Sequence, residues 1–280
     1  MNYNFLINEG IGELKKAFVK NAKLDCELLL SNVLNKTREE ILLNLNNKVK
    51  SNELSNFKLA LKKRQRNVPL AYIIGKKEFW KTEFVVNKDV LIPRPETELL
   101  VEKALKYLNE DKHYSILDIG TGSGCIIISI LKERIKTKGT ALDISQKALE
   151  IAKINAKMQH LENRIKFVYS DIDNFFSNKY DLILSNPPYI NKYKINSLDE
   201  DVKDFEPVLA LDGGPDGYSK IKKVIKRSSK LLKKKGKLIL EIGFNQKFKT
   251  IILLKKNGFY TNEIYKDLSG KNRCLVSTKI

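Results

Sequence analysis

Four consecutive residues, Asn186-Pro187-Pro188-Tyr189, close an apolar run, Asp181-Leu182-Ile183-Leu184-Ser185. Proline fixes the backbone and removes a donor. Two in a row leave carbonyl oxygens, Pro187's included, free to face whatever lies beyond the run. The Asn186 side chain adds another carbonyl oxygen. Two acceptors at one point suit a planar amino nitrogen, an amide or an arylamine. Such a nitrogen offers two N–H donors and attacks poorly, because its lone pair is delocalised. Holding both N–H groups would orient it for in-line attack on an electrophile and stabilise the positive charge that develops. Tyr189 could stack on the planar group. Standing alone, the four residues would read as a turn, so their weight depends on what precedes them.

What precedes them is a cofactor loop. Ile116-Leu117-Asp118-Ile119 runs into Gly120-Thr121-Gly122-Ser123-Gly124 and then an apolar stretch. This reads as strand, glycine turn and helix, the first unit of a Rossmann-like half. The glycines are spaced G-x-G-x-G, and Cys125 stands where a dinucleotide fingerprint wants its third small residue. A loop lying close against a nucleoside–amino acid cofactor fits better than one cradling a pyrophosphate. Glycine permits both the turn and the close approach. Asp143, at the end of the next strand, is placed to accept both ribose hydroxyls, while Ser145 can cap the following helix. Asp171 ends the third strand, where an adenine amino group or a simple turn could claim it. Together the two motifs describe methyl transfer from S-adenosyl-L-methionine to a planar nitrogen. No strong base is needed, because the methylated nitrogen becomes acidic and can lose its proton to water.

The elements that must position these residues are legible as patterns. From Ser115 onward, strands are predicted at 115–119, 139–143, 165–169, 180–185, 236–242, 259–265 and 273–278. Helices are predicted at 125–136, 145–158, 217–234 and 246–257. The alternation implies an α/β fold, a mainly parallel seven-stranded sheet covered by helices. The first third reads as helical. Leu24 to Leu34 has near-helical apolar spacing, Thr37 and Glu40 form a capping box, and Pro69 ends the run through Leu54, Phe57 and Leu61. Between the two halves, Phe79 to Val86 and Val90 to Ile92 predict a β-hairpin turning at Asn87-Lys88-Asp89. Pro95 suits the first turn of a helix, with Glu96 and Glu98 at its positive end. The expected domains are a helical docking domain at 1–74, a linker hairpin at 75–92 and a catalytic domain at 93–280.

Composition narrows the class. At 42% apolar residues the chain can bury a real core, which excludes a disordered protein. No apolar run approaches the roughly 20 residues of a membrane span, and no signal peptide is visible. Cys26, Cys125 and Cys274 are widely spaced, as free thiols in a reducing cytoplasm would be. His113 and His160 are isolated, and no metal-ligand spacing or nucleophile elbow occurs. The net charge of +19 could favour an anionic partner such as RNA, although abundant lysine, asparagine and isoleucine also fit an AT-rich genome. The densest run, Lys220 to Lys237, is expected on a solvated helix face.

On these residues the sequence resembles the release factor glutamine N5-methyltransferases, over nearly its whole length. Gly75, Phe79, Phe84 and Val90-Leu91-Ile92-Pro93-Arg94-Pro95-Glu96-Thr97-Glu98 are similar to that family's linker signature. Glu206-Pro207, Ala210-Leu211, Gly213-Gly214-Pro215-Asp216-Gly217, Glu241-Ile242-Gly243 and Asp25 through Leu30 match further segments. The resemblance implies methylation of the glutamine in the Gly-Gly-Gln loop of class 1 peptide chain release factors 1 and 2, by a monomer in the cytoplasm that needs neither membrane nor nucleic acid. It implies that Gly120, Thr121, Gly122, Ser123, Gly124, Asp143, Asp171 and Asn186 bind the cofactor. Asn186, Pro187, Pro188 and Tyr189 would hold the glutamine amide, with Arg94 nearby. Relatives often carry an aromatic where this chain has Ile172, so apolar packing would replace stacking on the adenine. A ribosomal protein glutamine, adenine N6 and guanine N2 present the same two donors, so the motif alone leaves these acceptors open. A binding module that kept the fold is the non-enzymatic alternative.

Overall fold

A computed structural model describes all 280 residues. The chain forms two compact units, Met1–Lys76 with Asp199–Phe205, and Lys77–Leu198 with Glu206–Ile280. No helix is long and apolar enough to cross a membrane.

The first unit is helical: α1 (Tyr3–Lys16), α2 (Ala22–Leu34), α3 (Arg38–Leu43), α4 (Ser51–Gln65) and α5 (Leu70–Ile74). Leu6, Leu14, Leu29, Leu30, Phe57 and Leu61 fill its core. A Cβ on Gly10 would sit 2.6 Å from Cys26 Sγ, so glycine sets how closely α1 and α2 approach. The expected capping box forms: Glu40 N–H donates to Thr37 Oγ1 at 3.2 Å, and Thr37 N–H to Glu40 Oε2 at 2.6 Å. Two buried charges, Asp25 and Arg64, pair at 2.7 Å between α2 and α4, and Arg64 also donates to the Val68 carbonyl at 3.2 Å. Pro69 does end the preceding run, but it also caps α5, a helix the sequence reading lacks. The distant segment holding α9 (Glu200–Lys203) completes the unit. Lys20 donates to Asp199 at 2.8 Å and Asn67 to Glu200 at 2.7 Å.

The second unit carries a short hairpin, β1 (Lys76–Phe79) and β2 (Thr82–Val85), and a seven-stranded sheet. The hairpin turns at Trp80-Lys81, earlier than expected. Trp80 sits in the left-handed region at φ +56°, rare for a bulky residue. Its N–H donates to Glu98 Oε1 at 2.7 Å and its indole N–H to Glu133 Oε1 at 3.0 Å, which hold the turn. Asn87 to Asp89 does form a turn, with Asp89 N–H on Asn87 Oδ1 at 2.9 Å. Residues 90–92 are not a strand, because the Ile92 N–H is taken by the Glu206 carboxylate at 3.1 Å.

The sheet strands are β3 (Ser115–Ile119), β4 (Lys138–Asp143), β5 (Ile165–Tyr169), β6 (Tyr180–Ser185), β7 (Leu232–Glu241), β8 (Phe259–Lys266) and β9 (Asn272–Lys279). Their order is β5-β4-β3-β6-β7-β9-β8. The first five are parallel, and β9 runs antiparallel to both β7 and β8. The helices are α6 (Glu98–Tyr107), α7 (Cys125–Glu133), α8 (Gln146–Met158), α10 (Val208–Leu211), α11 (Ser219–Leu231) and α12 (Lys247–Lys256). Pro95 opens a 3-10 turn, Pro95–Thr97, that leads into α6. Two apolar clusters, one on Ile116, Ile127 and Leu182, the other on Leu117, Ile183 and Leu240, cover opposite sheet faces, as alternation along each strand requires. The lysine-rich run divides: Lys220 to Lys230 lies on α11, whereas Lys233 to Lys237 belongs to β7, which begins at Leu232. Strand order reverses between β3 and β6, and crevices at such switch points bind ligands beyond the carboxyl ends of strands.

Candidate active site

A cleft of about 180 Å³ opens at that switch point. The glycine loop forms part of it. Gly120 and Gly122 sit at φ +72° and +56°, where side-chain-bearing residues are strained. Open space lies where a Cβ would be on either. Gly124 serves packing instead: a Cβ there would meet Ile128 Cδ1 at 2.9 Å and Ala152 Cβ at 3.2 Å. Thr121 turns away and donates to Asp118 Oδ2 at 2.7 Å. The Ser123 carbonyl accepts from Asn155 at 2.9 Å. Of the five loop residues, Gly120 and Gly122 line the cleft, and Thr121, Ser123 and Gly124 do not.

Asp143 stands at the end of β4 on the cleft wall. Its Oδ2 accepts from Gly122 N–H and its Oδ1 from Ser145 N–H, both at 2.9 Å. Each oxygen keeps a lone pair for a further donor. Burial raises its pKa above the usual carboxylate value, and the Gly122, Ser145 and Ile144 N–H groups work against that shift. Ser145 caps α8 by accepting from Ala148 N–H at 3.2 Å. Ile119, Leu142, Ile144 and Ile172 supply apolar walls, and Asp171 lies at the cleft with Oδ1 accepting from Asp173 N–H at 2.9 Å. An open glycine cradle, a carboxylate on one wall and apolar faces on either side fit a nucleoside with an amino acid tail. Asp143→Ala is expected to weaken S-adenosylhomocysteine binding by about 10- to 100-fold, the cost of losing hydrogen bonds to a charged group. Titration calorimetry giving the wild-type affinity would remove the ribose role.

Asn186, Pro187 and Pro188 line the same cleft. The Asn186 amide nitrogen donates to Thr97 Oγ1 at 3.1 Å, and Thr97 Oγ1 donates to Glu241 Oε2 at 2.7 Å. Tyr189 packs on the cluster around Ile183 and Leu240, with its hydroxyl toward Glu241 Oε1 at 3.4 Å rather than in the cleft. Gly213 allows this backbone its path, since a Cβ there would meet Tyr189 backbone atoms at 2.8 Å. Arg94 pairs with Glu206, whose other oxygen holds Ile92 N–H, and does not line the cleft. Asp89 to Leu91, Leu209, Lys220 and Val224 do line it. Of these, Leu209 and Val224 carry no sequence signal, whereas Asp89 stands in the predicted turn, Val90 and Leu91 in the linker signature and Lys220 in the lysine-rich run.

Two carboxylates near the site are wholly buried. Burial pushes Asp118 up to about 7 against the hydrogen bond from Thr121, and Asp118 Oδ1 has no protein partner. Burial likewise pushes Glu241 up to about 7, with Thr97 and Arg273 opposing. A carboxylate whose folded value is raised stays protonated where the unfolded chain has already lost its proton. Asp118 and Glu241 therefore contribute stability that is lost as pH rises from about 4 to about 7, while carboxylates held low, such as Asp216 and Asp267, act the other way. Urea midpoints of wild type and Asp118→Asn across that window isolate the Asp118 share, and their difference should change with pH. A difference that stays constant through the window contradicts it. No group of three or more histidine, cysteine, aspartate or glutamate side chains is arranged to hold a metal ion. The three cysteines are buried and unpaired.

The family model described as "PrmC N-terminal domain" matches residues 6–75, and "Methyltransferase small domain" matches residues 95–202. The "Release factor glutamine methyltransferase" of Buchnera aphidicola subsp. Schizaphis graminum is 38% identical, with 100% of both chains covered. The chain belongs to the release factor glutamine methyltransferase family. The "Bifunctional methyltransferase" of Rickettsia felis is 34% identical over 98% of this chain, which spans 58% of that relative's length. Among solved structures, a methyltransferase from Pyrococcus furiosus aligns with a TM-score of 0.53 at 18% identity, covering 80% of this chain and 98% of that one. That likeness shows a methyltransferase fold. For this family member, Gly120, Gly122, Asp143, Asn186, Pro187 and Pro188 meet at one cleft, together with Asp171 and Ile172.

Proposed function

We propose that the protein transfers a methyl group from S-adenosyl-L-methionine to the side-chain N5 of the glutamine in the Gly-Gly-Gln loop of release factors 1 and 2. One observation carries the reading. Asn186 and Pro187 share a cleft with Gly120, Gly122 and Asp143, so an amide acceptor and a nucleoside–amino acid cofactor would meet there. Membership of the family supplies the choice of glutamine over a nucleic-acid base.

When bound, S-adenosylmethionine supplies a methyl group on a sulfonium. The chain's residues do the rest by binding and orientation. Asp143 accepts from the ribose hydroxyls. Gly120 and Gly122 let the backbone lie against the cofactor's amino acid portion. Ile172 and Leu142 hold the adenine by apolar contact. The Asn186 Oδ1 and the Pro187 carbonyl accept one N–H each from the glutamine amide, which fixes the nitrogen and stabilises the positive charge it gains on attack. The amide proton is then lost to water. The helical first unit is the proposed docking module.

The test is to mix the protein with labelled cofactor and purified release factor, ribosomal protein or RNA, and to locate the label. Methyl on the Gly-Gly-Gln glutamine is expected. Label on RNA or on a ribosomal protein, with none on release factor, would overturn the reading.

A further inference from the structure

The relay behind Asn186 contains two groups that the proposed chemistry does not use. Thr97 ends the 3-10 turn before α6, and Glu241 ends β7 beside β6, whose continuation is Asn186. Both are nearly wholly buried, Thr97 at 3% exposure and Glu241 at 2%. Burying a carboxylate is costly.

A threonine hydroxyl has one proton. An ionised Glu241 only accepts, so the Thr97 proton must go to it, across 2.7 Å. Thr97 Oγ1 can then only accept from Asn186, across 3.1 Å. The donor facing Thr97 must be the Asn186 NH2 group, which turns Oδ1 the other way. Tyr189 reinforces the direction by donating to Glu241 Oε1 at 3.4 Å, and Arg273 donates to the Tyr189 oxygen at 3.4 Å. Asp267 in turn holds Arg273 at 3.1 Å.

We propose that Thr97 and Glu241 are positioning residues that fix the polarity of the Asn186 amide, so that its oxygen rather than its NH2 group meets the acceptor nitrogen. The inference rests on the proposed amide chemistry only in requiring an acceptor that presents N–H donors. With the relay reversed, Asn186 would offer donors to donors. Protonating Glu241 permits that reversal, since a carboxylic acid can donate to Thr97 Oγ1 and release the hydroxyl proton toward Asn186 Oδ1. The groups acting on Glu241 are Thr97 and Glu96 from the 3-10 turn, Tyr189, Arg273 and its neighbour Cys274 on β9, and Cys125. Glu96 opposes ionisation and Arg273 favours it.

The test compares full-length wild type with Glu241→Gln, Thr97→Val and Thr97→Ser. Glu241→Gln and Thr97→Val are expected to lower kcat by about 10- to 100-fold, with KM and S-adenosylhomocysteine affinity within about threefold of wild type, as loss of orientation predicts. Thr97→Ser keeps the hydroxyl and should restore most of kcat. Wild-type kcat should fall on acidification through the Glu241 transition, and Glu241→Gln should lack that limb. Wild-type kcat in Glu241→Gln or Thr97→Val, or a loss confined to KM, overturns the inference.

A second readout needs no turnover. The Asn186 side-chain NH2 resonance is assigned by its absence in Asn186→Asp. It should shift between about pH 8.5 and about pH 6 in wild type and not in Glu241→Gln, because the buried carboxyl titrates between those values. A resonance insensitive to both changes overturns the relay. Failure of release factor as acceptor, with the resonance behaving as expected, overturns only the proposed function.

Discussion

Asn186→Ala is expected to cut turnover by about 10²- to 10³-fold, the usual effect of deleting one preorganised group that stabilises developing charge. The substitution removes Oδ1, one of two acceptors for the reacting amide, and leaves the Pro187 carbonyl. It also removes the NH2 group that Thr97 Oγ1 accepts from, so part of the loss comes from a relay with no end. Cofactor binding should stay partly intact and fall far less than turnover, because Gly120, Gly122 and Asp143 remain in place. Single-turnover methyl transfer to release factor, with calorimetry on the cofactor product, separates the two effects. Turnover within about threefold of wild type would take Asn186 out of the chemistry, since losing an aligned acceptor costs more than that.

Arg64→Met should lower the unfolding free energy by about 3–5 kcal/mol, because it strands the Asp25 carboxylate in the helical core without its cation. Folded domains hold only about 5–15 kcal/mol in total, so the first unit would stand near its limit. Both side chains of the pair are about nine-tenths buried, and solvent can do little to compensate. Replacing both partners, Asp25→Leu with Arg64→Met, should recover most of the loss, since an apolar pair of similar volume carries no buried charge. Urea unfolding, with hydrogen exchange followed in α2 and α4, reports the change. A loss below about 1 kcal/mol would mean that the pair behaves like an exposed one.

The sheet is legible in the sequence because its strands are short apolar runs ended by residues with strong backbone preferences. Gly120 ends β3, and Asn186-Pro187 ends β6. Gly120, Gly122, Asp143, Asn186 and Pro187 line one cleft and sit at or just past strand ends, where the backbone leaves the sheet. Thr121 and Ser123 share the motif but not the cleft, because they face away from Gly120 and Gly122, and Gly124 is packed against Ile128 and Ala152. The hairpin was less legible. Trp80 adopts a left-handed conformation that Glu98 and Glu133 sustain from elsewhere in the chain, and no local rule places a turn on a tryptophan. Glu241 enters the sequence reading only through the resemblance. Its partner Thr97 lies 144 residues away, beyond any periodicity or spacing argument. Asp89 reads as a turn residue and Val90 and Leu91 as strand formers, yet all three line the cleft, with the Ile92 N–H held by Glu206.

The return of residues 199–205 to the helical unit bears on how this protein can be dissected. The polypeptide passes between the two units three times, after Lys76, after Leu198 and after Phe205. A fragment ending at residue 76 would therefore lack Asp199 and Glu200, the partners of Lys20 and Asn67. The complementary fragment would carry those carboxylates with nothing to bind. A protease cut at any one crossing would leave the halves still tied by the others, so a nicked chain would run as two bands in denaturant and as one species without it. Gene fusions or truncations that treat the first 76 residues as a detachable cassette would sever an element that the linear sequence places deep inside the catalytic half.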